Sequence, residues 1–125
     1  MDSHALLWWL EGDARLSPQA KALLESGQRV IVSAVSLWEL RMKERRGLIE
    51  PMRPVREWLP LLGQLELWRV EAVDGETWSQ VADLEWEHRD PADRMIAVTA
   101  LRHGVAVLTK DRRFHEEGSP VEAVW

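Results

Sequence analysis

The sequence predicts a single α/β domain built on a largely parallel sheet. Short apolar, β-branched runs alternate with helical patterns along the whole chain, as crossover connections between parallel strands require. No repeat, low-complexity tract or linker interrupts the 125 residues. One domain over residues 1–125 follows, and at 14.5 kDa it can bury about two thirds of the surface its unfolded chain exposes.

Each element has a local reason. His4-Ala5-Leu6-Leu7-Trp8-Trp9-Leu10-Glu11 is a short, strongly apolar helix. Ser17-Pro18 supplies an N-cap and a proline at the first helical position, and that helix runs to Gly27, a residue suited to end it. Arg29-Val30-Ile31-Val32-Ser33 reads as a brief buried strand. From Ala34 to Arg46 a helix carries Val35, Leu37, Trp38, Leu40 and Met42, and Gly47 closes it. Pro51 and Pro54 break the chain before a helix over residues 55–62. Leu67-Trp68-Arg69-Val70-Glu71-Ala72-Val73 is a second strand, and Asp74 caps a helix over residues 76–84. Asp90-Pro91 starts a further apolar helix that Gly104 terminates. Val105-Ala106-Val107-Leu108-Thr109 is a third strand, and after a polar turn residues 121–125 make the last. A parallel sheet needs a strand feeding the first helix, yet only Met1 precedes Asp2. The first strand of this short sheet is therefore predicted to be truncated.

Composition narrows the function. Hydrophobic residues make up 46% and charged ones 30%, an ordinary balance for a globular protein. No apolar run approaches the roughly 18 residues of a membrane span, and no basic region precedes residues 5–10 as a secretory signal would require. With no cysteine, thiolate metal sites and disulfides are excluded, and the reading is a cytoplasmic protein without a membrane partner. The net charge of −5 fits poorly with coating nucleic acid, so any such contact must be local. Eight tryptophans stand beside no tyrosine, and core packing accounts for most of them. Adjacent Trp8 and Trp9 cannot both face inward on one helix, which leaves one of them for an interface.

Four acids concern the chemistry: Asp2, Glu39, Asp93 and Asp111, with Asp90 as an accessory. Taken singly, each also has a structural explanation. Asp90 and Asp93 have the spacing of a capping box, as do Ser36 and Glu39, and Asp111 can begin a turn. Acids in a first turn also complement the helix dipole, at about 0.3–1 kcal/mol each. Together they are harder to explain that way. Helix starts and parallel strand ends share one sheet edge, and acids gathered there repel one another unless a cation lies between them. Hard oxygen donors without cysteine favour Mg²⁺ or Mn²⁺, and no histidine pair has the spacing of a helical zinc site.

The same residues carry a family resemblance. Asp2-Ser3-His4-Ala5-Leu6-Leu7-Trp8-Trp9-Leu10, Ser33-Ala34-Val35-Ser36-Leu37-Trp38-Glu39-Leu40, Asp90-Pro91-Ala92-Asp93-Arg94-Met95-Ile96-Ala97 and Leu108-Thr109-Lys110-Asp111-Arg112-Arg113-Phe114 occur in that order. They resemble the four motifs of PIN-domain ribonucleases, specifically the VapC-like toxins of toxin–antitoxin pairs. The resemblance implies a PIN-like three-layer α/β/α fold and a metal-dependent endoribonuclease. Asp2, Glu39, Asp93 and Asp111 would hold Mg²⁺ or Mn²⁺, with Asp90 capping beside them. It also implies that Ser33, Ser36 and Thr109 lie near the metal or its waters, and that His4 and Arg94 orient groups or touch substrate. Lys110, Arg112 and Arg113, beside Asp111, are candidate contacts to RNA phosphates; for Arg112 and Arg113 a solvated turn explains them equally well.

The partners implied are an RNA substrate, a small antitoxin lying over the site, and a second copy of the chain. The apolar helices over residues 4–11 and 36–46 are the surfaces to test. An alternative is a catalytically impaired PIN-like module that binds an antitoxin without cleaving RNA, because its first strand is incomplete. A structure-specific DNA nuclease lacks its helical clamp here, and a metal-independent ribonuclease lacks a visible histidine pair.

Overall fold

Capping residues written into the sequence set the helix starts in the computed structural model, which describes residues 1–125. The Asp2 carboxylate accepts from the His4 amide at 3.2 Å and opens α1 (Ser3–Glu11). Ser17 accepts from Ala20 to open α2 (Pro18–Glu25), and Asp74 from Thr77 to open α5 (Gly75–Asp83). Asp90 accepts from Ala92 and Asp93 at 2.8 and 3.3 Å at the start of α6 (Pro91–His103). Gly12 and Gly104 end α1 and α6 with φ of 62° and 61°, where a side chain would be strained. Two sequence expectations change. α3 (Ala34–Arg45) has no side-chain cap, so the Ser36–Glu39 capping box does not form. The helix expected over residues 55–62 divides into a 3₁₀ turn, Val55–Glu57, and a short α4 (Trp58–Leu62).

The middle layer of the α/β/α arrangement is two parallel strand pairs. β1 (Val30–Ser33) runs beside β2 (Trp68–Glu71), with Val30 opposite Trp68 and Ser33 opposite Glu71. β3 (Val107–Leu108) runs beside β4 (Ala123–Val124). The third strand is shorter than the five residues expected because the Val105 amide still donates to Ala100 of α6, at 3.1 Å. Residues 1 and 2 join the two pairs. The Met1 nitrogen donates to the Ile31 carbonyl at 2.8 Å, and the Asp2 amide to the Leu108 carbonyl at 3.0 Å. Asp2 is thus anchored on both sides.

Two apolar clusters hold the layers together. One packs Ala5, Leu6, Leu7 and Trp8 of α1 against Val30, Val32, Leu40, Trp58 and Leu62. The other surrounds α6, whose Met95, Ile96, Ala97 and Val98 meet Val35, Val81, Val107 and Phe114. Each fully buried aliphatic side chain contributes about 1.5–3 kcal/mol. α6 is buried over most of its circumference, which puts its N-terminal acids on a rigid support. The Trp8–Trp9 expectation changes as well. Trp8 is buried, Trp9 is half-buried and stacks on Trp68 at 6.3 Å, and helix α1 belongs to the core. The tryptophans left exposed are Trp38, at 61%, and Trp78, at 50%.

Candidate active site

Asp2 precedes α1, Glu39 lies on α3, Asp90 and Asp93 open α6, and Asp111 follows β3. All five carboxylates line one open pocket of about 670 Å³, together with His4, Trp8, Arg15, Lys43 and Lys110. The acids expected from the sequence therefore share one cavity wall.

Each carboxylate is held by hydrogen bonds, some from its own turn or helix and some from other elements. Asp2 takes the His4 amide on Oδ1 and the Thr109 hydroxyl on Oδ2, the latter at 2.8 Å. Thr109 is completely buried and accepts in turn from the Asp111 amide at 3.0 Å, so one hydroxyl links two acids. Glu39 receives Ser3 Oγ on Oε2 and Lys43 Nζ on Oε1, each at 2.6 Å. Asp111 accepts from the Arg113 amide at 2.9 Å. Asp93 receives the imidazole of His88, whose Nε2 is 2.6 Å from Oδ2. Burial, then the charges of Asp90 and Asp2, raise the Asp93 carboxyl from 3.8 to about 6, against the opposing effect of the His88 hydrogen bond.

The accessory residues fall into three groups. His4 lies on the rim, its Nδ1 3.9 Å from Asp2 and its Nε2 3.3 Å from Lys43. Ser33 and Ser36 are buried with no hydrogen-bond partner for either hydroxyl, and neither lines the acidic pocket. Arg94, expected to orient groups or touch substrate, is engaged elsewhere. Its guanidinium donates to the carbonyls of Val81, Leu84, Trp86 and His88, at 2.6–3.3 Å, and fixes the connection between α5 and α6. Buried carbonyls need donors, and Arg94 is the side chain whose planar fork reaches all four.

Of the basic residues after β3, only Lys110 lines the pocket, its ammonium 5.9 Å from the Trp8 ring. Arg15 lies 5.2 Å from the same ring and pairs with Asp13 at 2.6 Å. Arg112 is exposed, while Arg113 Nη1 sits 2.6 Å from His88 Nδ1. His88, Lys43, Arg15 and the supporting face of Trp8 are the functional neighbours the sequence reading missed. For His88, its place two residues ahead of the capping Asp90 was the available signal.

A hard divalent cation fits this donor set. Five carboxylates from four parts of the chain share one pocket without a cysteine, and the Asp93 carboxyl, its pKa raised chiefly by burial, is one that a nearby cation would help to ionise. His88, Asp93 and Asp111 also bring potential ligand atoms within 4.8 Å of one another.

Comparison with known proteins identifies the family and the fold. A family model described as the PIN domain matches residues 1–118. Ribonuclease VapC22 of Mycobacterium tuberculosis is 35% identical over 127 residues, a match covering 100% of this chain and 96% of that protein. Two solved structures share the fold. FitAcB from Neisseria gonorrhoeae aligns with a TM-score of 0.62 at 24% identity, over 98% of this chain and 93% of its own. FitAB bound to an IR36 DNA fragment gives 0.62 at 21% identity, over 98% and 91%.

Proposed function

This chain belongs to the PIN-domain family, and from that membership we propose that it is a metal-dependent endoribonuclease, the toxin of a toxin–antitoxin pair, acting as one domain over residues 1–125. The observation that carries the reading is the pocket shared by Asp2, Glu39, Asp90, Asp93 and Asp111. Asp2, Glu39, Asp93 and Asp111 would hold Mg²⁺ or Mn²⁺, with Asp90 as cap. When bound, the cation neutralises the scissile phosphate, makes a nearby water more acidic and stabilises the departing oxygen.

The chain's own residues supply position and charge. Thr109, Ser3 and His88 hold one oxygen each of Asp2, Glu39 and Asp93 in place. The carboxylates orient a water; they do not attack phosphorus. Lys110 on the rim, and Arg112 beyond it, grip flanking phosphates and set affinity without reading sequence. The expected products carry a 5′-phosphate and a 3′-hydroxyl.

Two partners go with this reading. An antitoxin segment carrying an arginine complements the acidic pocket and would exclude RNA from it. A second copy of the chain would dock through the groove of about 540 Å³ lined by Val35, Trp38, Val73, Trp78 and Ala92. That groove shares Glu39 and Asp90 with the acidic pocket, so a dimer there sets the two sites side by side. No helix is long and apolar enough to cross a membrane, and the cytoplasm is the proposed location.

Cleavage of structured RNA tests the reading. Activity should require Mg²⁺ or Mn²⁺, stop in EDTA, and fall by at least about 10³-fold in Asp93→Asn, a loss of about 4 kcal/mol in transition-state stabilisation. Cleavage that survives EDTA and leaves a cyclic phosphate would overturn it. Equal growth inhibition by wild type and Asp93→Asn would instead favour a module that binds its partner without cutting.

A further inference from the structure

On distance alone, His88, Asp93 and Asp111 look like three ligands of one ion. Hydrogen-bond chemistry argues otherwise for His88. Arg113 Nη1 lies 2.6 Å from His88 Nδ1, and a guanidinium has donors but no acceptor. Nδ1 must therefore offer its lone pair, because a proton there would set N–H against N–H. The ring proton of the neutral imidazole is then on Nε2, which is 2.6 Å from Asp93 Oδ2. An Nε2 that carries a proton and donates it to a carboxylate has no lone pair left for a metal.

We propose that Arg113 and His88 are positioning residues: Arg113 fixes the His88 tautomer, and His88 holds one oxygen of Asp93, leaving the other for the cation. The surroundings hold the imidazole in place. The His88 side chain is 5% exposed, and the Trp86 ring packs against it at 4.7 Å and 75°. Arg94 Nη1 donates to the His88 carbonyl at 3.1 Å, so the backbone carrying the imidazole is tied to the same helix as Asp93. Phe114, next to Arg113, packs on Trp86 at 5.0 Å, which brings the turn after β3 against the connection ahead of α6. An outer partner that orients a ligating carboxylate typically changes metal affinity 10–100-fold when removed. The assignment rests on Asp93 being a metal-holding acid, but its first test needs no RNA cleavage.

That test is long-range ¹H–¹⁵N correlation of the histidines in the full-length protein, with His88 identified by its absence in His88→Gln. The expected spectrum has a pyridine-like Nδ1 and a pyrrole-like Nε2, unchanged when Mg²⁺ is added. A pyridine-like Nε2, or an Nε2 signal that shifts strongly with Mg²⁺, would overturn the proposal and make His88 a ligand. The second test is Mn²⁺ affinity by electron paramagnetic resonance. Arg113→Lys and His88→Gln keep a donor at each link and should stay within about threefold of wild type, while Arg113→Glu and His88→Leu should lose tenfold or more. Folded Arg113→Glu and His88→Leu proteins that bind Mn²⁺ as tightly as wild type would also overturn it. A wild type with the expected tautomer and Mn²⁺ affinity that cuts no RNA would refute the nuclease reading while supporting this pair.

Discussion

Burial and the neighbouring charges of Asp90 and Asp2 lift the Asp93 carboxyl from 3.8 to about 6, which gives the metal-free protein a pH signature. A raised folded-state pKa means that the folded protein keeps a proton the unfolded chain has released. The stability this contributes is fully present below about 4 and is lost as pH rises through about 6. Its size is on the order of 1 kcal/mol once the discount for a side chain still 19% exposed is made. In EDTA, melting temperature should therefore fall between about pH 4 and 6 for wild type and stay flat for Asp93→Asn. Above that range the variant should be the more stable of the two, because an amide in place of the carboxylate carries no buried charge. Mn²⁺ should raise the melting temperature of wild type and leave Asp93→Asn nearly unmoved. A variant that keeps the wild-type slope would refute this account of the site's charge. His88 escaped the sequence reading for a related reason. Its role depends on Arg113, 25 residues away, and no spacing rule reveals which ring nitrogen faces which neighbour.

Among the elements, the connection from α5 to α6 depends on Arg94. Four backbone carbonyls, from Val81 to His88, take their donors from one guanidinium. Arg94→Met should destabilise the fold by about 3 kcal/mol, because several part-buried acceptors lose partners at once. Arg94→Lys should recover less than half of that, since a single ammonium cannot span the fork. Urea denaturation measures the loss, and proteolysis should cut first within residues 84–90. Full stability in Arg94→Met would show that these carbonyls do not depend on the guanidinium. The motif around Asp93 drew Arg94 toward the chemistry in the sequence reading, but adjacency along a helix does not fix direction, and Arg94 turns back along the chain. Helix limits were legible because their signals are local: Ser17-Pro18, Asp90-Pro91 and Gly104 act through their own backbone. Strand limits were not, because Val105 continues the apolar run of β3 while its amide already bonds into α6. Pairing is a property of two segments, and one segment's pattern overstates it.

Across the whole molecule, the acidic pocket and the tryptophan groove adjoin through Glu39 and Asp90. If the groove is where two copies meet, Trp38→Ser combined with Trp78→Ser should shift sedimentation from dimer to monomer, with each tryptophan contributing about 1–2 kcal/mol to association. The fold of the monomer should change by less than about 0.5 kcal/mol per site, because both side chains are at least half exposed. An unaltered dimer would exclude that face. The order of the four motifs made the fold and the acid set legible from the sequence. The assembled sheet was not, because its two strand pairs are joined by backbone hydrogen bonds only through residues 1 and 2. That junction also decides when the acidic pocket can exist. Asp2 is bonded to Leu108 and Thr109, a closure spanning 107 residues for the side-chain bond, so the site is among the last contacts folding can make. A ribosome that has translated Asp2, Glu39 and Asp93 has made three of the acids but no cavity to hold them. The acidic pocket therefore forms all at once, after β3 has been made, and not piece by piece along the chain.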